Sequence, residues 1–146
     1  MDKTSTIVLI SCVKQKQRGR CAAKDLYVSP WFKKAWAYAK AQHPDRIFIL
    51  SAKHGLLDPE KYVCFYDEAL PTTKTPRQHW ACSVLEMLKR TGVDLQGDRI
   101  IILAAKKYRE FLECHLTNSE VPMRHKKIGE QLAWLKQQTE YPTSTA

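Results

Sequence analysis

Glycine is scarce in this chain, with five among 146 residues, and so are the motifs that glycine makes. Gly19 stands alone in the first basic loop, so neither a G-x-G-x-x-G dinucleotide fingerprint nor a phosphate-cradling P-loop is present. The five cysteines (Cys12, Cys21, Cys64, Cys82, Cys114) are scattered, odd in number and without a CxxC pair. That argues against a disulfide framework or a zinc site, and for reduced thiols acting as small apolar residues. His43, His79, His115 and His125 lack metal-ligand spacing, and nothing implies a metal or an organic cofactor. No apolar run approaches the ~20 residues of a membrane span, and the polar N-terminus is unlike a signal peptide, which predicts a cytoplasmic protein. Acids are few as well: 15 Asp and Glu against 24 Lys and Arg leave a net charge of +9. Such an excess favours a polyanionic partner, nucleic acid above all.

What is present is a set of short, fully apolar runs. The length suits one domain, placed at residues 1–140 with 141–146 as a frayed tail. Between their end residues, Thr6 to Ser11, Arg46 to Ser51 and Arg99 to Ala104 are continuously apolar and, Phe48 aside, β-branched or aliphatic, the pattern of strands buried on both faces of a parallel sheet. Helical signals separate them. Ser29-Pro30 reads as an N-cap with proline at the first position, followed by Phe32, Ala35, Trp36 and Ala39 on one face. Thr75-Pro76-Arg77-Gln78 reads as a capping box, with Trp80, Val84, Leu85 and Leu88 inward and Gly92 closing the helix. Tyr108, Phe111, Leu112 and His115 mark a third helix, and Ile128, Leu132 and Leu135 a last one. The order β-α-β, a long loop, α-β-α, a short strand and a last helix predicts a three-layer α/β/α sandwich with a short, mainly parallel sheet. The segment from Ala52 to Lys74 is long for a plain connection and suggests a binding loop.

Chemistry-bearing residues gather after the strands, where α/β sheets hold their ligands. Ser11-Cys12 opens a loop carrying Lys14, Lys16, Arg18, Arg20 and Lys24, with no acid before Asp25. Ser51-Ala52-Lys53-His54-Gly55 follows the second strand, and Ala104-Ala105-Lys106-Lys107-Tyr108 the third. Tyr62, Phe65 and Tyr66 precede Asp67-Glu68. Each group has a plainer alternative. Cys12 reads as a buried small residue or as a nucleophile with His54 as its base. Lys53-His54-Gly55 reads as a functional pair or as a turn in which Gly55 supplies positive φ. Arg124-His125-Lys126-Lys127 reads as a solvated connector or a further phosphate contact. Trp31 and Trp36 read as core.

Several of these segments together resemble a small bacterial family of unknown function. They are Ile10-Ser-Cys with its trailing lysines, Asp25-Leu-Tyr-Val-Ser-Pro-Trp-Phe-Lys-Lys-Ala and Leu50-Ser-Ala-Lys-His-Gly-Leu-Leu. Tyr66-Asp67 before Leu70, and Ile128-Gly-Glu-Gln-Leu-Ala-Trp-Leu, extend the likeness from about Ile7 to Lys136. More distantly, the Ser11-Cys12 turn is similar to that of the uracil-DNA-glycosylase-like superfamily and of YaaA-type peroxide-stress proteins. That likeness implies the three-layer fold, DNA as a partner and an N-glycosidic bond as the target. The glycosylase motif Gly-Gln-Asp-Pro-Tyr is absent after the first strand, so Asp25 or Asp67 would take the carboxylate's role.

The resulting expectation is a monomeric DNA glycosylase acting on a modified or damaged pyrimidine, of the 5-hydroxymethyluracil type. Tyr66, Phe65 or Tyr27 would stack on the base, with Ser11, Cys12 and Ser51 nearby. Lys14, Lys16, Arg18, Arg20, Lys106 and Lys107 would hold DNA phosphates. Lys53 or His54 would stabilise the departing base, and a lyase variant would use Lys53 as the nucleophile. The alternatives are a non-catalytic DNA-binding stress protein and a nucleotide N-glycosidase or base-exchange enzyme.

Overall fold

The computed structural model describes residues 4–140, so the expected tail at 141–146 lies outside the described residues. Among the described residues seven strands and five helices follow in order: β1 (Thr6–Ser11), β2 (Arg20–Ala22), α1 (Ala23–Leu26), α2 (Pro30–Ala41), β3 (Arg46–Ser51), β4 (Gly55–Leu57), β5 (Tyr62–Cys64), α3 (Lys74–Arg90), β6 (Arg99–Leu103), α4 (Lys106–Glu113), β7 (Ser119–Glu120) and α5 (Ile128–Glu140). The central sheet runs β4-β3-β1-β6-β7. All its pairings are parallel except β4, which turns back antiparallel on β3. The three apolar runs are its three inner strands. Val8, Leu9, Ile10, Ile49, Leu50, Ile100, Ile102 and Leu103 have no exposed surface, because helices cover both faces. Each such aliphatic side chain contributes about 1.5–3 kcal/mol by leaving water.

Right-handed crossovers decide which face each helix takes. The chain moves one way from β1 to β3 and the other way from β3 to β6 and on to β7, so α2 must lie opposite α3 and α4. The helix pairs agree: α2 packs on α5, and α3 on α4. The expected sandwich with a mainly parallel sheet is therefore the observed one. β1 and β6 are neighbours whose following helices leave to opposite faces, and a crevice opens between such strands at their C-terminal ends.

Local signals held at α2, where the Ser29 hydroxyl accepts from the Phe32 amide at 3.1 Å and Pro30 opens the helix. They shifted at α3. This helix begins at Lys74 with Thr73 as its N-cap and no side-chain cap bond, so the expected capping box at Thr75 does not form. Thr75 and Gln78 already lie inside the helix there. Its far end closes as expected, on Gly92 at φ +93°, with the Val93 amide donating to the Leu88 carbonyl. His115 falls beyond the end of α4 and is exposed. The long segment after β3 is structured: residues 52–54 form the turn into β4 with Gly55 at φ +71°, and β5 pairs antiparallel with β2 as a separate two-stranded ribbon.

Candidate functional site

Three helix starts and the β1 loop enclose a cavity of about 870 Å³ at the crevice between β1 and β6. Its floor is Ser11, Cys12 and Tyr108, all buried. Val13 to Lys16 form one wall, and Ser29, Pro30 and Trp31 at the start of α2 form the next. Ala105, Lys107 and Tyr108 come from the start of α4, and Ile128, Gln131 and Leu132 from α5. Asp67, Glu68 and Ala69 close the rim. Trp31 and Gln131 tie two of these helices together, the indole Nε1 donating to the Gln131 carbonyl oxygen at 2.9 Å. The Gln131 amide donates in turn to the Lys126 carbonyl, also at 2.9 Å, which fixes its orientation.

Behind the floor lies a buried hydroxyl network. The Tyr66 hydroxyl bonds the Tyr27 hydroxyl at 2.7 Å and the Ser51 hydroxyl at 2.8 Å. Ser51 also accepts from the His54 amide at 3.0 Å, and its carbonyl accepts from the Trp80 indole at 2.9 Å. Cys12 bonds the Tyr108 hydroxyl at 3.3 Å. Burial pushes the Tyr27 phenol up to about 12. Burial also lifts Tyr66 and Tyr108 well above the tyrosine range, with Cys12 adding to both. All three phenols therefore stay protonated at neutral pH and act as hydrogen-bond donors and acceptors, not as bases. His54 is displaced the other way. Burial and then the nearby Lys53 and Lys61 lower its pKa, favouring neutral imidazole.

The charges of the rim are not paired with one another. Lys14, Lys16 and Lys107 have no carboxylate within 4 Å among the described residues; Lys16 instead places its ammonium 4.5 Å from the Tyr66 ring centroid. Asp67 and Glu68 are the acids that reach the cavity.

The structure sorts the sequence-derived candidates into groups. Ser11, Cys12, Lys14, Lys16, Lys107 and Asp67 meet in the cavity. Tyr27, Ser51 and Tyr66 form the network behind it. Lys53 and His54 border Tyr66, with the His54 ring edge-on at 5.4 Å and the Lys53 ammonium 6.0 Å from the Tyr66 centroid, and neither lines the cavity. Asp25 is exposed in a separate groove with Lys24, Tyr27 and Glu60. Arg18 and Phe65 stack on each other beside the β2–β5 ribbon, which carries Arg20. Lys106 is turned to Glu110 on its own helix. Reasoning from strand ends missed Trp31, Gln131 and Leu132, which read as core or helix-face positions. The signal that touched them was the family-like pattern around Trp31 and Ile128 to Leu135.

Fold and site together define a doubly wound α/β protein with an open, lysine-bearing cavity at its switch point. The chain belongs to a family of unknown function, DUF6884, whose pattern matches residues 7–137. It is also 30% identical over 112 residues to the uncharacterized protein YfjM of Bacillus subtilis (strain 168), covering 73% of each chain. No solved structure gives a significant match.

Proposed function

We propose that the protein is a DNA glycosylase that releases a modified or damaged pyrimidine. One observation carries the reading: a carboxylate, Asp67, stands at the rim of a cavity with buried polar groups on its floor and unpaired lysines beside it. An extruded nucleotide entering there would place its base against Ser11, Cys12 and Tyr108 and its phosphates near Lys14, Lys16 and Lys107. Cleavage passes through an oxocarbenium-like sugar. Asp67 stabilises that charge and orients the water whose oxygen bonds to C1′. The N-glycosidic bond breaks with its electron pair leaving on the base, and the water's proton passes through Asp67 to solvent. The product is an abasic strand and a free base, the latter protonated from water.

Geometry favours Asp67 over Asp25, since Asp25 lies in another groove. A second reading, a nucleotide N-glycosidase or base-exchange enzyme, draws on the same cavity and on the α2 start at Ser29–Trp31 within it. Base release separates the possibilities. Duplexes containing uracil, thymine mispairs, 5-hydroxymethyluracil or glucosylated 5-hydroxymethylcytosine are incubated with the protein, alongside the free nucleotides. Mass spectrometry reads free base and hot alkali reads abasic sites. Release from DNA that Asp67→Asn abolishes and Asp25→Asn keeps is the expected result. Release from free nucleotides alone supports the second reading. Silence throughout, with salt-sensitive DNA binding retained, leaves a non-catalytic binder.

A further inference from the structure

The β2–β5 ribbon stands apart from the central sheet and is the second place where cations and aromatics meet. Its antiparallel register pairs Arg20 with Cys64, Cys21 with Val63 and Ala22 with Tyr62. Because side chains alternate along a strand, Val63 goes to the core, 5% exposed, while Arg20, Tyr62 and Cys64 share the outer face. Tyr62 is 62% exposed, among the most exposed large hydrophobic side chains of the described residues. The Arg20 guanidinium sits 5.9 Å from its ring centroid, a diagonal cross-strand pair. One step beyond the ribbon, the Arg18 guanidinium lies 4.3 Å from the Phe65 centroid.

Stacking occupies the flat face of a guanidinium and leaves its N–H edge free for the oxygens of a phosphate or a carboxylate. Neither Arg18 nor Arg20 has a carboxylate within 4 Å among the described residues. A solvent-facing tyrosine flanked by such arginines suits a strand that offers a base to stack on and phosphates on either side. An acidic peptide would use the arginines and leave the tyrosine ring without a role. The ribbon is also continuous with the cavity. β2 follows the loop that forms the Lys14–Lys16 wall, and β5 leads into Tyr66, Asp67 and the rim.

We propose that this ribbon is a second nucleic-acid contact, in which Tyr62 stacks on an unpaired base and Arg18 and Arg20 bind the neighbouring phosphates. The proposal rests on nucleic acid being the ligand and not on base release. Cys64 provides the test, since its exposed thiol shares the outer face with Tyr62, whereas the exposed Cys82 and Cys114 lie on or after α3 and α4. Alkylation by iodoacetamide is followed residue by residue by mass spectrometry, with and without an oligonucleotide carrying a short single-stranded gap. We expect Cys64 to be protected severalfold while Cys82 and Cys114 react as before. Tyr62→Ala should weaken binding of the same oligonucleotide on the order of tenfold, and Tyr62→Phe should restore it. Arg20→Gln should lower the salt slope by about one. Binding with Cys64 as reactive as Cys82 overturns the proposal and leaves the glycosylase reading standing. Cys64 protection without base release from any substrate supports the ribbon and sinks the glycosylase. Absence of oligonucleotide binding overturns both.

Discussion

The two edges of the central sheet are built from the same kinds of residue and end in opposite conditions. At the edge where the parallel strands begin, charges and backbone groups are matched. Asp45 accepts from the Thr6 amide at 2.8 Å, and Asp98 accepts from the Ser5 amide at 3.0 Å and the Asp94 amide at 2.9 Å. Arg99 and Glu120 pair bidentately, which holds the guanidinium charged and lowers the Glu120 pKa. At the edge where those strands end, Lys14, Lys16 and Lys107 pair with no carboxylate among the described residues, and three helices open onto a cavity. An edge that satisfies itself serves stability. An edge that leaves charge unmatched and space unfilled adds little to stability and is where a ligand would be sought.

Breaking the matched edge should cost most. Asp98 is buried, and Asp98→Ala strands two backbone amides, so we expect a loss of about 2–3 kcal/mol in urea unfolding. A loss below about 0.5 kcal/mol would show that the edge is not closed as described. The hydroxyl network behind the cavity should rank next. Tyr66→Phe keeps the ring and removes the group shared by Tyr27 and Ser51, for about 1–2 kcal/mol by the same measurement.

The open edge should barely register in stability. The double variant Lys14→Gln, Lys107→Gln should unfold within about 0.5 kcal/mol of the parent, since exposed cations without acid partners contribute little to folding. The same variant should lower the salt slope of oligonucleotide binding by about two, one for each lysine. A large destabilisation with an unchanged slope would mean that these lysines belong to the fold and not to a ligand.

Much of the frame was legible in the chain. Ile7 to Ile10 and Ile47 to Leu50 read as buried strands because strands covered on both faces need no polar alternation. Ser29-Pro30 marked the start of α2 because capping and proline geometry act within one turn. The ribbon was not legible: β2 and β5 are three residues each, and their pairing joins Arg20 to Cys64, far along the chain. A short strand before the last helix was expected from the element order, and β7 fills it, though its Ser119–Glu120 pair counts as a strand only beside Ile100 and Ile101.

The site divides in the same way. Lys14, Lys16 and Ser11-Cys12 could be named from sequence, since they follow a strand and carry an obvious charge. Which of Asp67 and Asp25 lies beside them could not be read there, as both precede or follow aromatic residues in loops of similar character. By itself the sequence determined the central strands, the entry to α2 and the cationic loop, because burial pattern, capping and charge are local properties of consecutive residues. Only the tertiary structure decided that Asp67 and Tyr108 share a cavity with Cys12 while Asp25 does not. That outcome depends on crossover handedness and sheet order, which bring together segments separated along the chain and leave no mark within any one of them.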